Sequence, residues 1–459
     1  MDEQFVSSDS LSRLPARESF LIRGAYVITM DPATRDLPRG DVLVENGVIA
    51  SVGTGLSAPG ANVIDGDGFI VLPGLVDTHW HMWTTLLRSL CGDDPAKGYF
   101  PVTTAVGKVY TPNDMYYGCL ISAAEALHSG ITTVHDWCHN VLTPAHAEAD
   151  IQVLQKTGIR ARFSYGASRA TPPTQAIDIA DLQRIHRAWA GYSNDGLLSL
   201  GLGWRGVQAV FPSANGESEI RPLPQDVWRT EYDAARNMNI PISVHVNQSA
   251  DKGHIATMEK LGLLYKDLQV VHALTSTPEE IAALASAGGS VSVSPFSEMR
   301  IGYGVPKIAE FAEAGVQVGL SVDTTPLSGN ADMFGIMKVT QNIENARCGS
   351  ECKFPARRVL EMATIEGARS LGLADRTGSL ARGKRADLIM VNTRAVNMSP
   401  LTDPAHMLVE AAQPANVDTV VVDGRILKRH GNLTSIDVSR LTTEVNAVSK
   451  ALRARANWI

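Results

Sequence analysis

Long apolar runs are missing from this sequence. No stretch of about 18 residues stays apolar, so a helix crossing a membrane is not expected. An excess of positive charge is missing too. Lys and Arg number 41 against 48 Asp and Glu, a formal net charge of −7. Such mild acidity offers no electrostatic footprint for nucleic acid. Cysteines are few: the five, at 91, 119, 138, 348 and 352, form neither an even framework nor a paired CxxC set. Cys348 and Cys352 sit four apart in RCGSECK with no second ligand pair, and read as free thiols. The opening MDEQFVSSDS lacks the charged-then-apolar order of a secretory signal, so a reducing, cytoplasmic setting is expected. Neither a G-x-x-x-x-G-K-[ST] loop nor a G-x-G-x-x-G turn after a strand occurs, which removes the common nucleotide cofactors. The expected partner is a small molecule, not nucleic acid or membrane, with homo-oligomerisation left open.

What is present is a large core. At 44% hydrophobic and 19% charged residues, the composition is that of an ordinary globular chain and excludes disorder or coiled coil as whole-chain readings. The 459 residues are about three times a typical domain of ~150. FLIRGAYVITM, DVLVENGVIASVG and NVIDGDGFIVL are β-rich runs broken by NG, DG and PG, and the texture returns in KRADLIMVN and VDTVVVDGRILKRHG. Between them strands alternate with helices, which implies βα units and a parallel sheet. Candidate strands fall near 72–78, 131–136, 160–165, 197–203, 241–246, 268–273, 289–294 and 317–323. Eight strands over ~250 residues is what an α/β fold of the (β/α)8 TIM-barrel type requires. The expected organisation is half of a small β-sandwich at 1–70, the barrel at 71–375, the second half at 376–434 and a terminal helix at 435–459.

The chemistry collects at strand ends. PGLVDTHWH places His79 and His81 just after an apolar run, and residues two apart in an extended segment point the same way. His245 closes IPISVH, His272 closes LQVVH and Asp323 closes VQVGLSVD. The C-terminal ends of barrel strands are where barrel active sites are built. One strand-end histidine is an ordinary core residue. Four with an aspartate on one face are not.

With these residues the chain resembles the amidohydrolase superfamily, in its cytosine deaminase, guanine deaminase and triazine chlorohydrolase branch. The likeness runs over roughly residues 20–430 and includes PGLVDTHWH, ITTVHDW, SVDTTPLSGNADMF and ATIEGARSLGLADRTGSLARGKRADLIMV. It implies one divalent metal, foremost Zn2+ with Fe2+, Mn2+ or Co2+ as alternatives, held by His79, His81, His245 and Asp323. It also implies that His272 is an unliganded catalytic histidine. Asp323 is then the general base and proton carrier, and His272 stabilises developing charge. The fourth strand, LLSLGLGWRGVQ, has no lysine to bridge two metals, so a single ion is expected there.

Two departures bear on substrate. Deaminases of this branch carry HxxE after the fifth strand, and here Gln248 stands in the Glu position of His245-Val-Asn-Gln248. Gln exchanges no proton at neutral pH. Alternatively, Asn247 and Gln248 anchor their loop. After the seventh strand, Glu298 either replaces the missing acid, recognises a substrate amine, or pairs with Arg300. Trp83, Trp80, Trp137 and Trp204 are candidates for an apolar wall, and Ser328 for a substrate contact. Asp136 and Asn247 are expected to support the metal ligands from behind, with His135 a remoter ligand candidate beside His139. The expected activity is metal-dependent hydrolysis of a non-peptide carbon–nitrogen bond in an amide, urea or carbamate. Deamination or dechlorination of a nitrogen heterocycle is the alternative. A non-catalytic barrel serving as an interaction protein is the rival class, and would be expected to have lost some of the five strand-end residues.

Overall fold

The computed structural model describes residues 8–168, 170–212, 218–248 and 251–458. Residues 1–7 of the opening segment therefore lie outside the described residues. Eight parallel strands follow one another around a barrel: Leu75–Trp80, Ile131–Val141, Arg160–Ala167, Leu198–Trp204, Ile242–Val246, Leu268–His272, Ser290–Val293 and Gln317–Leu320. The first three are buried along their whole length, as strands covered by helices on one face and core on the other must be. The barrel closes between its first and last strands at the level of the site. There Asp323 N–H donates to the His79 carbonyl at 2.9 Å, and His81 N–H donates to the Asp323 carbonyl at 2.7 Å.

The strand expected at 72–78 is two strands. Phe69–Pro73 belongs to the other sheet, and Leu75–Trp80 opens the barrel. Gly74 separates them, where any Cβ would overlap the side chain of Thr132. Both chain ends meet in one nine-stranded sheet, joined where Phe69–Pro73 pairs antiparallel with Leu388–Asn392. Phe20, Ile22, Val42, Val44, Val71, Leu388 and Val421 form its own core. A buried fork locks this sheet to the barrel: Arg160 donates to Asp387 through Nε at 2.5 Å and Nη2 at 3.0 Å. Asp387 also accepts the Asp423 N–H at 2.7 Å. A terminal helix, Val438–Arg455, packs on the barrel helix Pro112–Ser129.

Candidate metal centre and substrate cleft

The strand Leu75–Trp80 turns both of its terminal histidines into the barrel mouth. Asp77 fixes their height: its Oδ1 accepts the His79 N–H and its Oδ2 the Val322 N–H, both at 3.0 Å. It thereby staples the histidine strand to the segment carrying Asp323. Sequence reasoning missed this residue, although it stands inside PGLVDTH. His272 and Asp323 both adopt left-handed backbone conformations, with φ of 71° and 61°. Such conformations are costly for residues other than glycine and cluster at functional sites.

The rings converge. His79 lies 4.6 Å from His81 and 4.8 Å from His245 between centroids, and His245 lies 5.3 Å from His272. His79, His245, His272 and Asp323 each place a ligand atom within 4.8 Å of the others. His81 joins through Asp323, its Nε2 lying 3.5 Å from Oδ1, while His79 Nε2 lies 3.3 Å from the same oxygen. The His81 Nδ1–H donates to the Trp137 carbonyl at 2.7 Å, which leaves the Nε2 lone pair facing the carboxylate. His79 is fully buried and neither of its ring nitrogens has a hydrogen-bond partner. Burial pushes His79 well below the ordinary histidine pKa, helped by His272, and does the same to His245 with its neighbouring histidines. Imidazoles converging on a carboxylate, one of them with both nitrogens buried and unpartnered, form a cation-binding set.

His272 differs from them. Burial pulls its pKa down, but a 3.0 Å hydrogen bond from Nδ1 to Glu298 and the charges of Asp323 and Glu298 carry it above the ordinary value. Glu298 is fully buried, also accepts the Ser294 N–H at 2.9 Å, and does not line the cleft. The expectation that it meets substrate or pairs with Arg300 is corrected: it stands behind His272.

Other expectations separate here. Gln248, Trp137 and Trp204 do line the cleft with His81, His245, His272 and Asp323. Trp83 does not; it is buried in the turn Met82–Leu87 and donates through Nε1 to His139 Nδ1 at 3.1 Å. Trp80 is likewise wholly buried in the barrel wall. Ser328 hydrogen-bonds the Thr324 carbonyl at 3.1 Å, and its neighbour Leu327 faces the cleft instead. Asn247 anchors its loop, donating to Ser276 and Glu280 at 3.0 Å and accepting the His254 N–H at 2.8 Å. Asp136 supports no histidine; it points out of the barrel towards Cys119 and Asp150. The support expected of it comes from the Trp137 carbonyl and Glu298. His135 spends both nitrogens on the Thr78 carbonyl at 2.9 Å and Ser164 Oγ at 2.8 Å, which excludes it as a ligand.

The cleft encloses about 1010 Å3 of atom-free space, part of it open to solvent. Tyr99, Phe100, Thr171, Ile220 and Tyr303 also line it, with Arg205, Gln208 and Asp251 among its polar residues, none of them anticipated from the sequence. Ile220 lies on the second strand of a hairpin, Gln208–Pro212 with Ser218–Pro222, inserted after the fourth barrel strand. Aromatic faces on several sides of a cation site suit a planar ring.

Comparison with known proteins agrees with this architecture. A model of the amidohydrolase family matches residues 70–427. The chain is 28% identical over 456 residues to a 5'-deoxyadenosine deaminase of Methanosarcina acetivorans, covering 95% of this chain and 99% of the relative. The zinc-bound adenosine deaminase of Xanthomonas campestris superposes with a TM-score of 0.82 at 24% identity, over 96% of this chain and 100% of that one. The zinc-bound atrazine chlorohydrolase of Arthrobacter aurescens superposes with a TM-score of 0.79 at 22% identity, over 94% and 100%.

Proposed function

The chain belongs to the amidohydrolase family, and we propose that it hydrolyses the exocyclic carbon–nitrogen bond of a small planar nitrogen heterocycle, releasing ammonia or an amine. Hydrolysis of a non-peptide carbon–nitrogen bond is the chemistry of its deaminase relatives, which match it nearly end to end. The choice of a heterocycle rests on one observation: Trp137, Trp204, Tyr99 and Tyr303 wall the cleft that opens on the histidine–aspartate cluster.

The residues fit a divalent metal. His79 has two buried, unpartnered nitrogens, and the His81 Nε2 lone pair faces the Asp323 carboxylate with its other nitrogen committed. On this reading His79, His81, His245 and Asp323 hold one ion, zinc by the nitrogen and oxygen character of the set. When bound, the ion supplies Lewis acidity and lowers the pKa of water. Asp323 accepts the water's proton at a carboxylate oxygen. His272, its Nδ1–H committed to Glu298, presents Nε2 to the atom on which charge develops. Gln248 orients the ring by hydrogen bonding without exchanging a proton with it. That last feature favours a second reading, cleavage of an amide, urea or carbamate, for which no ring nitrogen need be protonated.

Metal content and turnover test both readings. The purified protein, His81→Ala and His272→Asn are compared by elemental analysis and by amine release from aminopurine nucleosides, aminotriazines, ureas, carbamates and amides. We expect His81→Ala to lose one equivalent of metal, and His272→Asn to keep it while losing turnover of a heterocyclic amine. Turnover confined to ureas, carbamates or amides establishes the second reading. Loss of the ion in His272→Asn but not in His81→Ala overturns the ligand assignment. A protein that binds no metal and turns nothing over is an interaction barrel.

A further inference from the structure

Behind the barrel wall lies a second group of ligand-type side chains that the proposed reaction does not use. Asp136 sits on the strand Ile131–Val141, Asp150 on the helix Pro144–Thr157 and Cys119 on the helix Pro112–Ser129. All three are fully buried, and Cys119 Sγ and one oxygen of each aspartate lie within 4.8 Å of one another. Cys138 is a fourth donor. Two residues beyond Asp136 on the same strand, it points the same way and is fully buried beside Asp150, whose carboxyl it influences.

The carboxylates are unexplained as they stand. None of their four oxygens has a hydrogen-bond partner, although the Met82 amide acts on Asp136. Neither forms an ion pair among the described residues, and no cationic side chain acts on them. Two carboxylates without a counter-charge, deep between sheet and helices, carry a large desolvation cost. Burial and the neighbouring Asp150 push Asp136 well above the ordinary carboxyl range. A shared proton would relieve that repulsion, and so would a cation. The two thiols decide between them: as weak donors they add little to a proton-sharing pair, whereas carboxylate and thiolate together are ligands for zinc.

We propose that Cys119, Asp136 and Asp150, with Cys138 as fourth donor, form a closed structural site for Zn2+ or another thiophilic divalent cation. Binding releases to solvent the proton of each ligating thiol and any proton shared by the carboxylates, and involves no redox step. The site ties the second barrel strand to two covering helices. Asp136 pairs in register with Trp80, between the two histidines of the first strand, so the tie buttresses the segment that carries them.

Cobalt substitution of the whole enzyme tests this. The histidine–aspartate set at the cleft contains no sulfur, so an intense near-ultraviolet thiolate-to-cobalt absorption that survives replacement of the exposed Cys348 and Cys352 by Ser reports the buried second site. We expect roughly two metal equivalents per chain, and this absorption in the wild-type protein. Cys119→Ser should lose the absorption, and Asp150→Asn one equivalent, while His79→Ala keeps the absorption and loses the other equivalent. A single equivalent per chain, with no thiolate absorption in the wild-type protein, would overturn the proposal and leave a proton shared by Asp136 and Asp150. The spectrum of the Cys348→Ser/Cys352→Ser protein, changed only at exposed positions, is decisive even if a variant at the buried site fails to fold.

Discussion

Glu298→Gln removes a charge from behind His272 and takes no atom away from the cleft. Glu298 Oε1 accepts the His272 Nδ1–H at 3.0 Å and the Ser294 N–H at 2.9 Å. A glutamine carbonyl in the same place keeps both bonds and therefore the imidazole tautomer. What it loses is charge assistance. Hydrogen bonds to charged groups contribute about 1.5–3 kcal/mol, against about 0.5–1.5 for neutral pairs. The difference, near 1.4 kcal/mol, is tenfold in rate if it is realised only as His272 takes on charge in the transition state. We therefore expect kcat to fall about tenfold on the best substrate of the panel, with KM and metal content unchanged. Steady-state kinetics and elemental analysis of the variant measure all three. An unchanged kcat would refute the argument that Glu298 acts through His272. A raised KM at constant kcat would mean that Glu298 meets substrate, which its burial behind the histidine forbids.

Gln248→Glu restores an exchangeable proton beside the ring, and on the heterocycle reading it should raise amine release from aminoheterocycles several-fold; no gain on any such substrate would favour the amide, urea or carbamate reading. Asp387→Ala strands the buried Arg160 guanidinium and should cost about 3–5 kcal/mol in chemical denaturation; a loss below about 1 kcal/mol would mean that the fork does not join sheet to barrel. Burial lowers Lys428 to about 8 while its ammonium donates to the His128 carbonyl at 2.6 Å. Its unfolded pKa is about 10.4, so the unfolded chain binds more protons between these values, and this group's contribution to stability rises with pH across that window. Lys428→Met should remove that rise, and thermal melts of both proteins from pH 7 to 10 would show parallel curves if it does not.

The residues of the histidine–aspartate cluster were legible because their signal is local. An apolar strand leading to a polar side chain recurs at His79, His245, His272 and Asp323, and barrel geometry brings strand ends to one face whatever the loops do. The misplacements came where the chain leaves the strand. After His81 it tightens into the turn Met82–Leu87, which carries Trp83 away from the mouth and beneath His139. The short helix Thr325–Ser328 likewise presents Leu327 in place of Ser328. Gly74 sits inside a continuous apolar run, and only the crowding by Thr132 shows that the run changes sheets there. Tyr99, Phe100, Thr171 and Tyr303 come from connections between strands, and only tertiary packing brings them to the cleft.

On the proposed reading, the two departures in the sequence belong to one arrangement. A glutamate at position 248 would face the cleft; a glutamine there leaves the ring-side position without an acid. An acid does stand at position 298, in the helix Pro295–Arg300 that follows the seventh strand, but it points into the protein and grips His272. Asp251 also lines the cleft, but one of its oxygens is held by the Asn247 N–H at 2.9 Å and by His254 Nδ1 at 3.1 Å; of Asp323 and His272 at the cluster itself, His272 carries the raised pKa. A protonated His272 can deliver a proton to a leaving nitrogen, as a neutral Gln248 cannot. Such a site works best where the departing amine needs protonation more than the ring does. It therefore favours substrates whose ring is already electron-poor, and within the heterocycle reading that places aminotriazines ahead of aminopurines.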